Sequence, residues 1–283
     1  MVFSDDRRGY SHAVLPAACS GRSRLVVGIS IVVTFVALAW VSSGAAAGVV
    51  SPNWSGYAAT GSPGSPVSFT SVTGTWRAPT ARCRAGSAGA SSVVWVGIGG
   101  YAAGARDVAQ VGTTARCRSA GGPRYHAWFE IAPHRAFPIR QRVSPGDEVH
   151  GSVNVLPHGV ELVVENRTRK WRWAKTITWA LASTSSAEWI VEAPATCDRG
   201  SCGRTPLANF GTVTMTDISA TGNGLTGTLA NPSWTIVPIW LVPDMATVRL
   251  RVASTNVRAG AVPSPVTADG STFSVAWIPR APS

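Results

Sequence analysis

Residues 186–192 read Ser-Ala-Glu-Trp-Ile-Val-Glu, and this stretch carries the clearest structural pattern in the chain. Side chains alternate between the two faces of a β-strand, so Glu188 and Glu192 would share one face. Trp189 and Val191 would share the opposite face. Glutamate is uncommon inside strands. The stretch therefore predicts a sheet with one buried surface and one acidic surface, on which a catalytic carboxylate could lie.

The rest of the chain has the same strand character. Twelve segments rich in β-branched and aromatic residues are separated by turn residues, and none shows a sustained helical period. The predicted strands are 67–77, 92–97, 105–112, 126–131, 148–155, 160–166, 171–179, 188–192, 210–218, 234–242, 247–252 and 273–278. The pattern predicts an all-β fold, a two-sheet antiparallel β-sandwich of the jelly-roll or concanavalin A-like type, with a long loop over 253–272.

The composition sets the size and class of this domain. The chain has 283 residues, of which 45% are hydrophobic and twelve are tryptophan, so it can bury a large core. Only 14% of the residues are charged, which excludes a disordered chain. Since neither an internal repeat nor a long linker divides the sequence, residues 48–283 are expected to form a single β-sandwich domain.

The N-terminus resembles a secretory signal. Arg22 and Arg24 precede the apolar run 25–41, and small residues follow it up to Gly48. Residues 1–47 are therefore predicted to be a signal segment, cleaved after Ala47, so the mature protein would be secreted. The alternative is an uncleaved membrane anchor, because the apolar run is near the lower length limit for a spanning helix.

Export would permit disulfide bonds. Cys19 precedes the apolar run, and the remaining four cysteines allow three pairings. Cys197 and Cys202 could close a small loop, which would leave Cys83 to pair with Cys117. A zinc site is the rival interpretation, but neither a Cys-x-x-Cys pair nor clustered histidine supports it. No metal or cofactor is expected.

The net charge of +11 comes almost entirely from arginine. The basic segment 167–175 contains both lysines of the chain, Lys170 and Lys175, with two tryptophans. Such a segment could contact phosphate or lipid headgroups. An exposed hairpin is the simpler interpretation, so no nucleic-acid partner is expected, and the membrane would be involved only through an uncleaved N-terminal segment.

A second polar strand face is predicted over residues 125–130. Alternation places His126, Trp128 and Glu130 together on that face. Gln110 lies in an otherwise small and apolar predicted strand. A cleft lined by tryptophan and acids suits an extended polymer, either a peptide or a glycan.

Nine short motifs follow one another between residues 51 and 278, and it is their order that is informative. They are Asn53-Trp-Ser-Gly-Tyr57, Val72-Thr-Gly-Thr-Trp76 with Pro79, Trp95-Val-Gly-Ile98, Gln110 with Gly112, Ala127-Trp-Phe-Glu130 with Pro133, Gly146-Asp147, Glu165-Asn166, Ala187-Glu-Trp-Ile-Val-Glu192 and Asn209-Phe-Gly-Thr-Val213. The ordered set resembles the glutamic peptidases, also called eqolisins (peptidase family G1).

This resemblance implies a sandwich of two antiparallel sheets and an acid-acting endopeptidase with a glutamine–glutamate dyad. By motif position the dyad falls on Gln110 and Glu188. The resemblance also implies substrate-binding positions, which fall on Trp54, Trp95, Trp128 and Glu130. The expected partner is a protein or peptide substrate, and the expected state is a monomer.

The dyad chemistry is consistent with these residue types. Glu188, as a carboxylate, can take a proton from water and return it to the leaving amine. Gln110 does not titrate, but its amide N–H can donate to the oxyanion. If the pKa of Glu188 stays near its ordinary value of about 4.3, the base is ionised only above that region. Later steps need acid, so activity should fall towards neutral pH.

Several positions depart from the family pattern. Gly99 and His126 stand where aspartate is common, and Ile131 and Ala132 replace an aromatic pair. These changes predict a less acidic and less aromatic cleft, so they bear on subsite preference and pH range. Because Asn53 begins soon after the expected cleavage point, activation by loss of a long prosegment is not expected.

Two other functions fit parts of the sequence. A glycoside hydrolase needs two carboxylates around the scissile bond, but Glu188 and Glu192 would lie about 13 Å apart along one strand. A non-catalytic binding module would tolerate changes at Gln110 and Glu188, yet both residues are present. The glutamic endopeptidase is therefore the favoured prediction.

Overall fold

The computed structural model describes residues 48–101, 105, 107–120, 122–181, 183–198, 201–243 and 260–279. These residues form β-strands, turns and loops, with no helix among them, and the all-β prediction is confirmed. Within the described part of the chain, no helix is long and apolar enough to cross a membrane. The predicted signal segment 1–47 and the predicted strand 247–252 lie outside the described residues.

The described chain contains eighteen strands. They are Val49–Ser51 (β1), Trp54–Thr60 (β2), Phe69–Arg77 (β3), Ser91–Gly99 (β4), Val108–Arg116 (β5), Arg124–Ala132 (β6), Phe137–Ile139 (β7), Glu148–Leu156 (β8), Gly159–Asn166 (β9), Trp171–Ile177 (β10), Ser186–Glu192 (β11), Ala195–Asp198 (β12), Ser201–Arg204 (β13), Thr212–Gly222 (β14), Leu225–Gly227 (β15), Thr235–Leu241 (β16), Gly260–Pro263 (β17) and Phe273–Ile278 (β18).

Sixteen of these strands form one continuous hydrogen-bonded sheet. Its order is β10-β9-β8-β3-β14-β18-β17-β16-β2-β11-β4-β5-β6-β7, with β15 on β14 and β1 on β16. All pairs are antiparallel except β1 with β16. Strands β12 and β13 form a separate hairpin. The predicted sandwich is thus built from a sheet that folds over on itself rather than from two unconnected sheets.

The two halves of this sheet pack face to face through large aromatic side chains. Trp76 of β3 is almost fully buried and donates its indole N–H to Thr113 Oγ1 of β5 at 2.8 Å. Trp189 of β11 donates in the other direction, to the backbone oxygen of Thr73 in β3, at 2.7 Å. Because each indole N–H finds a partner on the opposite half, the aromatic core also fixes how the halves align.

Strand β11 lies at the centre of one half, between β2 and β4. The main core covers its Trp189 face, and a smaller apolar cluster, which includes Trp95 and Ile190, covers its glutamate face. Glu188 has no exposed surface, and only Glu192 is partly accessible. The expectation of an open acidic surface on this strand is therefore wrong, because both faces are enclosed.

Strand β2 was missed in the sequence because small residues make up much of it. Gly56 has a φ of 142°, and a Cβ added there would lie 2.1 Å from the backbone oxygen of Trp189. Only glycine allows β2 to lie this close to β11. Strand β17 likewise corrects the predicted loop over 253–272, because Gly260–Pro263 bridges β16 and β18.

One predicted disulfide is present. Cys83, in the loop before β4, is bonded to Cys117, which follows β5, with an S–S distance of 2.01 Å. Cys197 and Cys202 are backbone register partners in the β12–β13 hairpin. The side chains of these two residues, like Cys19, lie outside the described part of the structure, so their disulfide stays a prediction.

Candidate active site

The two predicted dyad residues lie in one row across neighbouring strands. Glu188 of β11 is the register partner of Gly97 in β4, and Gly97 is the partner of Gln110 in β5. Gln110 is in turn the partner of Glu130 in β6. Paired residues project to the same face of a sheet, so Glu188, Gln110 and Glu130 share one face. At about 4.8 Å per strand, the Cα atoms of Glu188 and Gln110 are about 10 Å apart.

Gly97 provides the space between the two dyad residues. A Cβ at this position would lie 3.1 Å from Gln110 Cβ and 3.0 Å from the ring of Trp95. Any larger residue would therefore press on the glutamine side chain and on the indole beneath it. A glycine within a strand often marks a place where another group approaches closely, and this was the signal available in the sequence.

The amide of Gln110 is held in one orientation by Glu130. Its Nε2 donates to Glu130 Oε2 at 2.8 Å, and the reverse orientation would bring two acceptor oxygens together when Glu130 is ionised. Gln110 is 6% exposed. Its Oε1 is buried and has no hydrogen-bond partner among the described groups. One amide hydrogen and this oxygen are thus left to bind another molecule.

Glu188 is an ionisable group in an apolar setting. Burial is the main cause that raises its pKa well above the ordinary value, while the nearby Ser186 hydroxyl and Tyr101 backbone lower it less. Neither carboxylate oxygen makes a hydrogen bond of ordinary geometry with another described group. Because buried polar atoms are almost always well hydrogen-bonded, a buried carboxylate bonded this poorly marks a candidate site for water or a ligand. The expectation of a near-normal pKa is wrong, since that expectation assumed a solvated strand face.

Glu192 is held by two donors. Trp95 Nε1 donates to one carboxylate oxygen at 2.8 Å, and Asn53 Nδ2 donates to the other at 2.9 Å. Burial nevertheless raises the pKa of Glu192 to about 7, with these two hydrogen bonds opposing the rise. Asn53 is a residue whose role the sequence patterns did not reveal, although it opens the first family motif.

The pKa of Glu130 is also raised to about 7. Burial is the largest cause, the negative charge of Glu192 adds to it, and the Gln110 hydrogen bond opposes it. The site therefore contains three carboxyl groups whose neutral forms are favoured by their surroundings. All three lie on the same sheet face as the amide of Gln110.

The three tryptophans expected to bind substrate are on this face as well. Trp54 and Trp95 meet edge to face, with ring centroids 5.0 Å apart, and Trp128 belongs to the same apolar cluster. Gly112 leaves room for two of these side chains, because a Cβ there would lie 2.8 Å from the Cβ of Trp95 and 2.9 Å from the ring of Trp128. Trp95 has no exposed surface, so in this structure it supports Glu192 rather than offering a stacking surface.

Comparison with known proteins identifies the family. The sequence profile of the peptidase A4 family matches residues 52–264, well over half of the chain. The chain belongs to the peptidase A4 family. Membership makes it a peptidase, and of the glutamic class that its motifs resemble. A search of curated protein sequences found no match.

Solved structures agree with the fold of this peptidase. Scytalido-glutamic peptidase with a transition state analog inhibitor superposes with a TM-score of 0.61 at 24% identity, covering 80% of this chain and 98% of that one. SCP-B, an eqolisin in complex with the tripeptide Ala-Ile-His, gives 0.59 at 22% identity, with the same coverage. At these identities the likeness supports the β-sandwich architecture.

Two departures from the family pattern have local reasons in this peptidase. Gly99 has a φ of 91° and Gly100 a φ of 93°, which a glycine adopts readily and an aspartate adopts only with strain. His126 lies on the same sheet face as Glu192. Val93 of β4 is the register partner of Glu192, and His126 lies two strands further along that row, on β6. Burial lowers the pKa of His126, and the charges of Arg124 and Arg116 lower it further. His126 is therefore held towards its neutral form at this end of the site.

Proposed function

We propose that the chain is an exported endopeptidase that hydrolyses peptide bonds in acid, with Glu188 as general base and acid and Gln110 as oxyanion stabiliser. The observation that carries the proposal is the row from Glu188 through Gly97 to Gln110. It leaves a gap of one side chain between the Glu188 carboxylate, whose oxygens make no hydrogen bond of ordinary geometry, and the Gln110 amide, which has unused hydrogen-bonding capacity.

The proposed reaction starts with ionised Glu188, which accepts a proton from a water molecule in the gap. The resulting hydroxide attacks the peptide carbonyl carbon, and the free N–H of Gln110 donates to the oxygen that becomes negative. The carboxyl group of Glu188 then returns its proton to the amide nitrogen as the carbon–nitrogen bond breaks. The products are one carboxylic acid and one amine, and Glu188 is again ionised.

Glu130 would serve as a positioning residue in this scheme. In the structure its carboxyl oxygen accepts from one N–H of the Gln110 amide, which leaves the second N–H free for the substrate. A fixed donor costs little reorganisation when charge develops on the substrate, which is the main source of oxyanion stabilisation in enzymes.

The pKa values define a proposed pH range. Glu188 works as a base only when ionised, so its raised pKa moves the acid limb of activity above the range of an ordinary glutamate. Near pH 7, Glu130 and Glu192 lose their protons and bring negative charge towards the forming oxyanion. We therefore propose a weakly acidic optimum with an upper limb near pH 7, and not the strongly acidic optimum that an ordinary pKa would give.

The substrate class follows from the family and from the form of the site. A row of polar groups between tryptophans, across the direction of four strands, suits an extended polypeptide. The solved structure of scytalido-glutamic peptidase holds a peptide-based transition state analog, which supports a polypeptide over a glycan.

The test is proteolysis of a denatured protein by the purified exported form between about pH 3 and 8. We expect cleavage in weak acid, with kcat reduced at least about a thousandfold by Glu188→Gln and about a hundredfold by Gln110→Ala. Glu165→Gln, on the outer face of β9, is the matched control and should retain full activity. Full activity of the Glu188→Gln protein would remove the dyad, and hydrolysis of a polysaccharide without proteolysis would favour a glycoside hydrolase.

A further inference from the structure

An apolar pocket lies away from the dyad, where two edges of the folded sheet approach each other. One wall comes from β6, β7 and the turn between them. The other wall comes from the end of β10 and from Trp179, which lies just beyond that strand. The cavity has a volume of about 230 Å³. Its lining, called here the seam pocket, consists of Phe129, Ile131, His134, Phe137, Ile177 and Trp179.

The wall of the seam pocket is an aromatic stack that remains partly open. Phe129 is stacked between Phe137, at 5.3 Å, and Trp173 of β10, at 4.7 Å. His134 packs edge-on against Trp179 at 5.0 Å. Phe137 keeps 40% of its surface exposed, which is unusual for an aromatic residue in a stack. An exposed apolar concavity of this kind indicates a binding site for one apolar group.

Two cations border the pocket. The Lys175 ammonium lies 5.2 Å from the centre of the Phe129 ring, and the Arg135 guanidinium lies 5.1 Å from that of Phe137. Within the described residues, neither takes part in an ion pair. Cations held over aromatic rings and left without a carboxylate favour a ligand that brings negative charge next to its apolar group.

The edge of β10 beside the pocket is open to a new strand. Among the strands that the structure describes, β10 pairs with β9 alone, and Ala174, Lys175 and Thr176 are exposed. An open edge offers N–H and C=O groups to an extended peptide, which is a common mode of peptide recognition. An edge lysine usually discourages such pairing. An acidic peptide is the exception, because its carboxylate would pair with the lysine.

We propose that the seam pocket is a second substrate-binding site, which holds one apolar side chain of an extended acidic polypeptide while its backbone pairs with β10. The proposal rests on the proposed endopeptidase function for the identity of this polypeptide as substrate. Phe129 and Glu130 are adjacent on β6 and project to opposite faces. One polypeptide would therefore reach both the seam pocket and the dyad by passing around the short edge strand β7.

Binding is tested without catalysis, by fluorescence anisotropy of a labelled peptide, Glu-Glu-Ile-Glu-Phe-Glu-Glu, with the Glu188→Gln protein. Adding Lys175→Glu or Phe137→Ala should raise the Kd about tenfold, the loss expected when one buried contact is removed. Lys170→Glu makes the same charge change outside the seam pocket and should leave the Kd unchanged. A peptide with lysine in place of glutamate should not bind. Equal Kd values for the Lys175→Glu and Lys170→Glu proteins would overturn the proposal.

Kinetics separates this site from the dyad. With Glu188 intact, Lys175→Glu should raise the KM for a long, denatured acidic protein and leave kcat/KM unchanged for a short peptide that spans only the dyad. Thermal unfolding shows whether Phe137→Ala raises the Kd merely because the protein is less folded. If it does, the Lys175→Glu variant alone decides the test. The unmodified enzyme could fail to cleave any protein while the labelled peptide still binds at the seam pocket. That result would refute the endopeptidase proposal and leave the second binding site standing. If cleavage of both substrates responds equally to Lys175→Glu, the second site is refuted.

Discussion

Replacing Glu192 by glutamine tests whether the carboxyl groups of the site are as poorly solvated as the structure indicates. Burial raises the pKa of Glu192 from 4.5 to about 7 in the folded protein. The folded state therefore binds this proton more tightly than the unfolded state does. Its contribution to stability is fully present below about pH 4.5 and is lost as the pH rises through about 7.

The size of the effect follows from the pKa change. Each pKa unit corresponds to about 1.4 kcal/mol, so a rise from 4.5 to about 7 gives an upper limit of about 3 kcal/mol. Glu192 is partly accessible to solvent, so we expect a smaller value of about 2 kcal/mol. The uncharged glutamine has no such titration. When the pH rises from 4.5 to 7.5, the free energy of unfolding of the Glu192→Gln protein should therefore fall by about 2 kcal/mol less than that of the unmodified protein.

The assay is urea unfolding at the two pH values, with the Cys83–Cys117 disulfide intact. Glu165→Gln is the matched control, because it removes a carboxylate from the outer face of β9. The change in pH dependence should be clearly larger for Glu192→Gln than for this control. If Glu192→Gln unfolds with an unchanged pH dependence, then burial does not raise the pKa of Glu192, and the proposed upper limb of the pH profile loses its basis.

Two further predictions concern the gap in the site and the disulfide. Gly97→Ala places a Cβ 3.1 Å from that of Gln110, so we expect kcat/KM for a protein substrate to fall at least about tenfold while the melting temperature falls by only a few degrees. Unchanged kinetics would show that the gap is not needed. Cys83→Ser should lower the free energy of unfolding by about 3–4 kcal/mol, the chain-entropy estimate for a loop of 34 residues, as measured by urea unfolding. Reduction of the unmodified protein should give the same loss, and no loss in either would contradict the estimate.

Some strands could be predicted because their side chains alternate against the core. Strand β9 is an example, because Val160, Leu162 and Val164 are buried while Glu161 and Glu165 face outwards. Strand β2 could not be found in this way. The residues of β2 are small because the strand packs closely against β11. Such tertiary packing produces no alternating pattern of hydrophobic residues in the sequence.

The sequence predicted which residues come together at the candidate site, while their catalytic roles stay a prediction. The ordered motifs indicated Gln110 and Glu188, and the structure brings them to one face with Glu130 and the tryptophans. The raised pKa values could not be predicted, because they depend on how completely the sheet encloses each carboxyl group. The role of Asn53 was missed for the same reason, since its hydrogen bond to Glu192 joins residues 139 positions apart.

The strand order of the folded sheet also determines when Glu188 acquires its complete surroundings. Glu188 needs β2 on one side and β4 on the other, and β2 is covered in turn by β16, more than forty residues beyond Glu188. Pairings between such distant segments form late, after the loop-closure entropy has been overcome. A chain still emerging from the ribosome has Gln110 long before it has a neighbouring Glu188. On the proposed mechanism, the strand order therefore delays a complete active site until β16 has been synthesised.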